Sequence, residues 1–349
     1  MSNLFYKTKT INGEIELKGI GKSTMMVLKE AEKHGVVWEN VPYTKMFKLK
    51  YMDLTKFFHG QIPSETTEYA YHCCKNKDIT KKILEEVGVA INKGFILRHS
   101  DNKKHRSSLF RTLQKPLVVK PASSLRGNNV HININTPHMY NKAIDEIYAN
   151  HSRRKVDIIV EEMFLGNEYR ILASQEKILS VIKRITANIV GDGKSTIRQL
   201  IFLKNQNPIR SEVATYHHIV ASKKVVNFLK KQNLDLNSVV KKNKRIFLHP
   251  RGPLDISLGG DTVDVTDNIH PSVSRIVTTI MNTMPGLALT GIDYITEDIT
   301  AQQTADNYRI IEINASPSLD WNEFPLEGPR RRIAFEFLKI MFPDLSQLN

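Results

Sequence analysis

Two carboxylates and an amide oxygen lie in the C-terminal third of this chain in a pattern that suits a hard metal ion. Glu312 and Asn314 are two apart at the end of Tyr308–Ile313, where polar and apolar residues alternate with β-branched content and read as a strand that ends in Asn-Ala-Ser-Pro. Alternation puts both side chains on one face, and Pro317 cannot continue the ladder. Upstream, Gly291-Ile292-Asp293-Tyr294-Ile295 reads as a second short strand carrying a single acid. Paired side by side, the two strands would gather Asp293, Glu312 and Asn314. Such oxygen donors suit Mg²⁺ better than zinc or iron. Taken alone, Glu312 and Asn314 read equally well as edge-strand residues facing water.

A second candidate is Lys120, at the end of the apolar strand Pro116–Pro121. The small polar loop Ala122–Asn129 follows it, with Ser123, Ser124 and Gly127, and then the strand Val130–Ile134. A strand-end lysine beside a hydroxyl-bearing loop suits phosphate oxygens, although a plain polar hairpin has the same composition. Two further stretches imitate a P-loop. Gly19–Thr24 and Gly191–Thr196 both contain Gly-Lys-Ser-Thr, but the required upstream glycine is Glu16 in one and Asn188 in the other. Each is better read as a turn followed by a helix start with Ser or Thr as cap.

The elements that must position these residues mix strands and helices without strict alternation, which indicates an α+β fold rather than a doubly wound sheet. Amphipathic helices are expected over Ser23–His34, Asn76–Val87, His138–Ala149, Thr196–Phe202, much of Val213–Gln232, His270–Asn282 and Arg331–Met341. Asp157–Val160 reads as a buried strand running into the acid-rich Glu161–Glu168. Tyr169–Ala173 and Ile178–Ile185 read as antiparallel strands.

The chain has 349 residues, enough for two or three domains, and its 41% hydrophobic and 25% charged content is ordinary for a soluble globular protein. No apolar run reaches the roughly 18–20 residues of a membrane span, and the N-terminus lacks the apolar core of a signal peptide. The only cysteines, Cys73 and Cys74, are adjacent and form neither a disulfide framework nor a metal spacing. These features imply a cytoplasmic protein with no membrane partner. The net charge of +14 is dispersed from Lys7 to Arg332. Without a nucleic-acid module signature, that dispersion argues against a nucleic-acid partner.

The order of these features resembles the ATP-grasp superfamily of carboxylate–amine ligases. More closely, it is similar to the ATP-grasp portions of cyanophycin synthetase and of bifunctional glutathione synthetase. The carriers are Glu161–Arg170, Asn188–Ile197, Ser257–Asp267, Gly291–Tyr294 and Glu312–Pro317, with Glu327-Gly328-Pro329-Arg330 and Phe342-Pro343 near the end. The resemblance implies an N-terminal pre-ATP-grasp region over 1–75, a phosphate-loop subdomain over 76–156, and a hinge, metal and substrate subdomain over 157–349. It also implies a version that stands without the additional domains of those larger proteins.

By position, Lys77 and Lys120 would hold ATP phosphates under the loop bearing Ser123, Ser124 and Gly127. Glu161 and the backbone of Glu162, Met163 and Phe164 would grip adenine, and Glu168 the ribose. Asp293, Glu312 and Asn314 would hold one or two Mg²⁺ ions. Arg170 and Arg184 would face the γ-phosphate or an acyl phosphate. Many superfamily members place an arginine where this chain has Gly291, and Arg184 would replace it. Arg210, His249, Ser257, Gly259, Gly260 and Ser316, with Arg251 and Trp321, would lie near the substrates, and a basic lining would favour an acidic carboxylate donor.

The implied reaction joins the carboxylate of an amino acid or peptide to an amine through an acyl phosphate, releasing ADP and phosphate. Relatives of this kind often form homodimers or homotetramers. A competing reading is a non-catalytic ATP-binding module that recruits a partner protein. It would predict a broken metal set, whereas Asp293, Glu312 and Asn314 are all present.

Overall fold

The computed structural model describes residues 7–10, 13–16, 20–122, 129–151, 156–210, 216–250 and 258–345. Its largest sheet has five antiparallel strands in the order Asp261–Asp264, Ile178–Ile185, Asn167–Ser174, Leu289–Thr296 and Tyr308–Asn314. Alternation divides this sheet into two unlike faces. Tyr169, Ile171, Val181, Ile292, Tyr294 and Ile313 point into a core shared with the helix Pro271–Thr283 and with Leu84 of the helix Lys77–Glu86. The other face is apolar at one end, where Leu172 and Leu289 join a second core, and carries Ile182 opposite Arg170 and Ile295 opposite Glu168 among its charged residues.

That second core ties the two ends of the chain together. The helix Lys22–Lys33 and the antiparallel meander Val37–Asn40, Met46–Tyr51, Leu54–His59 and Ile62–Pro63 pack against the last helix, Ile333–Met341. Ser23 does not cap its helix as the sequence suggested, since Gly21 holds that position. Its buried hydroxyl instead donates to Asp320 Oδ1 (2.9 Å) and accepts from the Leu319 amide (3.0 Å).

A separate four-stranded antiparallel sheet runs Gly94–Leu97, Ile158–Glu162, Leu117–Pro121, His131–Ile134. One face packs on the helices Lys103–Thr112 and Pro137–Asn150 through Val119, Ile158, Val160, Phe110 and Ile144. The other face carries Lys120 and Glu161. A small lobe pairs Asn188–Val190 with Arg245–Phe247 and contains the helices Ile197–Asn205 and Lys223–Lys230.

In that lobe Asp192 forms a turn by accepting from the amides of Lys194 and Ser195, and Thr196 caps the next helix in a reciprocal box with Gln199. The helix expected across Val213–Gln232 is shorter. Side chains compete for its backbone groups, because Asn205 brackets the amide and carbonyl of Ile219 while Arg210 takes the His217 carbonyl. Among the described residues no helix is long and apolar enough to cross a membrane.

Candidate active site

Strand register assembles the acid-bearing face. Asp293 lies opposite Glu312, and Gly291 opposite Asn314. On the neighbouring strand Arg170 pairs with Asp293, and beyond it Glu168 pairs with Arg184. All seven residues therefore share one face of a single sheet.

The charges there balance one another. Arg170 Nε lies 2.9 Å from Asp293 Oδ1, and its Nη2 donates to Oδ2 at 3.3 Å. Arg184 Nη2 lies 3.1 Å from the same Oδ1 and donates to Glu168 Oε2 at 3.2 Å. Burial lowers the Arg170 pKa below the usual arginine value. Burial opposes Arg184 too, but Asp293 and Glu168 outweigh it and the Arg184 pKa is raised. The ion-pair distances hide poor alignment. Both arginine Nε atoms and Asp293 Oδ1 are buried without a hydrogen bond among the described residues. Glu312 is in ion-pair contact with Lys77 Nζ at 3.3 Å, and the Ser316 amide donates to Asn314 Oδ1 at 2.9 Å.

Gly291 is explained by close approach. A Cβ there would lie 2.6 Å from Arg170 Nη1 and 2.9 Å from Pro317 Cβ. The space over this glycine is thus filled by Arg170, whereas Arg184 reaches Asp293 from one strand further away.

The second wall carries a buried clasp. Glu161 is 2% exposed and bonds Lys120 through one carboxylate oxygen and Lys81 through the other. Burial alone would raise its pKa, but the two ammonium groups hold it down at about 2. Burial also lowers the Lys81 pKa, against the pull of Glu161. The Glu161 side chain is therefore committed to two lysines and not open to an adenine ring, a correction to the expectation drawn from sequence. The amides of Glu162 and Met163 donate to the carbonyls of Lys93 and Pro116. The Arg309 guanidinium lies over the Phe164 ring.

Lys81 was missed by the sequence reading. The available signal was its place one turn after Lys77 on the polar side of an amphipathic helix, a spacing that puts both ammonium groups on one helix face. That helix reaches both walls, with Lys77 at Glu312 and Lys81 at Glu161.

The expected substrate residues divide. Arg210 is not available to a substrate: its side chain is fully buried and donates to the carbonyls of His217 (3.1 Å), Gly259 (3.1 Å) and Gly260 (3.2 Å) and to Asp261 Oδ1 (2.5 Å). Lys204 and Asn188 bond the other Asp261 oxygen. Gly259 adopts φ +88°, where a Cβ would also meet Ile219 at 2.6 Å, so Gly259 and Gly260 act here through carbonyls tied to Arg210. His249 is half-buried, and burial together with Lys224 lowers its pKa. Among the described residues it makes no hydrogen bond to the sheet face. Trp321 packs with Ile182 and Tyr216, its ring 5.9 Å from the Arg170 guanidinium. Ser123, Ser124, Gly127, Arg251 and Ser257 lie outside the described residues.

The donor set fits Mg²⁺. Asp293 Oδ1 is buried without a hydrogen bond, Glu312 directly opposite is 35% exposed at its side chain, and Asn314 presents an amide oxygen beside them. These are hard oxygen ligands from adjacent strands. Among the described residues no cluster of three or more His, Cys, Asp or Glu forms a metal centre of another kind.

Comparison with known proteins agrees with this architecture. No family model matches the chain. It is 30% identical over 329 residues to cyanophycin synthetase of Geminocystis herdmanii, spanning 93% of this chain and 37% of that protein. It is also 30% identical over 335 residues to the bifunctional glutathione biosynthesis protein of Streptococcus mutans, spanning 93% of this chain and 43% of that one. A bifunctional glutathione synthetase from Pasteurella multocida superposes with a TM-score of 0.73 at 26% identity, over 94% of this chain and 45% of that structure. The chain thus spans about two fifths of the length of the curated relatives it matches.

Proposed function

We propose that this chain, which has the α+β ATP-grasp fold and is similar to the ATP-grasp portions of cyanophycin synthetase and bifunctional glutathione synthetase, is an ADP-forming ligase joining a carboxylate to an amine. Its substrates would be small amino acids or peptides. The observation that carries the reading is the single sheet face holding Asp293, Glu312, Asn314, Arg170 and Arg184, with Lys77 at its edge.

Asp293, Glu312 and Asn314 would hold Mg²⁺, as two ions in our reading, and bound Mg²⁺ would neutralise phosphate charge and align the γ-phosphate. Lys77 and Lys120 would bind phosphate oxygens. The backbone from Glu162 to Phe164 would receive adenine between the two sheets, and Glu168 would bind the ribose hydroxyls. The unbonded Nε groups of Arg170 and Arg184 offer donors to the γ-phosphate and then to the acyl phosphate.

In the first step a substrate carboxylate oxygen attacks the γ-phosphorus, forming an acyl phosphate as ADP leaves. An amine then attacks the acyl carbon, forming the amide, expelling phosphate and releasing a proton. Neither step needs a protein nucleophile, so positioning and charge neutralisation carry the rate. The intact acid pair argues against a binding module without catalysis.

The test is ADP release with Mg-ATP across amino acids and short peptides, singly and in pairs, with Glu312→Gln in parallel. Release that requires a specific carboxylate–amine pair and vanishes in the variant is expected. ATP turnover that is the same in the variant would sink the proposal.

A further inference from the structure

A second charged recess lies away from the acid-bearing sheet, between the last turn of the helix Lys22–Lys33 and the segment leading into Ile333–Met341. It is a cleft of about 410 Å³ lined by Glu30, Lys33, His34, Glu323, Arg330 and Arg332. Its acids and cations are arranged unequally. The Glu30 and Glu323 side chains are only 12% and 4% exposed, whereas those of Lys33, Arg330 and Arg332 are 63%, 59% and 46% exposed.

The acids are satisfied from within the protein. Glu30 bonds Lys33 (3.0 Å) and Arg332 (3.2 Å), and Glu323 bonds Arg330 (2.6 Å) and the Ala334 amide (2.8 Å). For Glu30, burial is outweighed by Lys33 and Arg332, so its pKa is lowered. The buried acids thus anchor cations at the rim.

Those cations keep donors in reserve. Each arginine bonds its acid through Nη2, and Arg332 Nη2 also contacts His34 Nε2 (3.3 Å), leaving Nε and Nη1 of both without a hydrogen bond among the described residues. Each is also fixed by an aromatic ring, Arg330 over Phe324 (4.1 Å) and Arg332 over Phe335 (4.5 Å). With Nη2 turned to the acid, the Nε–H and Nη1–H groups point to different sides of the guanidinium, so each fixed arginine offers separate donors to anion oxygens. The recess lies between the N-terminus of Ile333–Met341, where Glu323 accepts from the Ala334 amide, and the C-terminal turn of Lys22–Lys33, so the two helix dipoles oppose one another there. At the floor, the His34 side chain is 3% exposed and its Nδ1 has no partner.

We propose that this recess is a binding site for a small oxyanion-bearing metabolite, carrying a phosphate or carboxylate group received by Arg330, Arg332 and Lys33. It is separate from the site proposed for ATP. Its lining shares no residue with that site.

The test is calorimetric titration of the Lys77→Gln, Lys120→Met protein, which lacks both lysines assigned to phosphate in the other cleft, with inorganic phosphate, pyrophosphate, glutamate and aspartate as separate probes. At least one probe is expected to bind, and Arg330→Gln with Arg332→Gln is expected to weaken it about tenfold or more. Binding confined to phosphate and pyrophosphate identifies a phosphorylated ligand, and binding confined to the amino acids an acidic metabolite. Lys33→Gln, at an exposed position, guards against misfolding in the arginine variant and is expected to weaken the same probe. No binding by any probe at millimolar concentration, or equal binding in all variants, overturns the proposal. Because the titration needs no turnover, its outcome is independent of whether the ligase reaction is found.

Discussion

Asp293 and Asp261 are both aspartates held by two cations, yet they have opposite consequences. At Asp261 both oxygens are bonded, one to Arg210 and the other to Lys204 and Asn188, and Arg210 is further engaged by three backbone carbonyls. That cluster closes upon itself and fixes the chain around Gly259–Asp261. At Asp293 two arginines crowd the carboxylate, but its Oδ1 lacks a hydrogen bond among the described residues; the Nε atoms of Arg170, Arg184 and Arg210 all lack one, so the two clusters differ at the carboxylate oxygen. Charge is balanced there while hydrogen bonding is incomplete. In this protein the unfinished cluster is the candidate for chemistry, and the finished one holds the fold.

The contrast can be broken most severely at the unfinished cluster. Glu312→Gln should lower kcat for ADP formation by about a thousandfold or more while the protein stays folded. Steady-state kinetics with circular dichroism checks this, and loss of fold rather than of turnover would erase the distinction. At the closed cluster, Asp261→Asn leaves a buried guanidinium without its counter-ion and should destabilise the protein by about 3 kcal/mol. Urea unfolding reads this directly, and an unchanged midpoint would show that Asp261 is no more structural than Asp293.

The Glu161 clasp lies between the two cases. Lys81→Met should leave Lys120 paired but misplaced, raising KM for ATP about tenfold with kcat nearly unchanged. The same clasp sets a pH dependence. Glu161 is held at about 2, below its ordinary value of 4.5. Its contribution to stability is complete above that ordinary value and is lost as pH falls through 4.5 towards 2. Glu161→Gln should remove that part of the acid limb in stability measured against pH. The smallest effect is expected at Ser316, whose amide rather than its hydroxyl orients Asn314. Ser316→Ala should alter stability by under about 0.5 kcal/mol and leave substrate KM values unchanged. A large rise in KM would assign its hydroxyl to substrate after all.

Local periodicity made much of the architecture legible. The alternation at Tyr308–Ile313 indicated a strand with Glu312 and Asn314 on one face, and pairing it with the strand of Asp293 was expected, while the register of Asp293 opposite Glu312 comes from the fold. What sequence concealed was long-range competition. Arg210 read as a substrate contact because its partners, Gly259, Gly260 and Asp261, become neighbours only after folding. Lys81 was overlooked because its partner lies 80 residues away. The helix across Val213–Gln232 was overextended because propensity carries no record of Asn205 and Arg210 taking backbone groups from elsewhere. The resemblance located Glu161 in the hinge, but only the fold shows its carboxylate turned to the lysines.

The helix Lys77–Glu86 acts as a caliper between the two sheets. Its lysines stand one turn apart, with one tip on Glu312 and the other on Glu161. Parting the sheets must lift at least one tip from its acid. The tips have unequal grip, since the carboxylate under Lys77 is 35% exposed while that under Lys81 is 2% exposed. Salt weakens the wetter contact first. The jaw at Glu312 is therefore the one that slackens as ionic strength rises, while the caliper stays seated on Glu161.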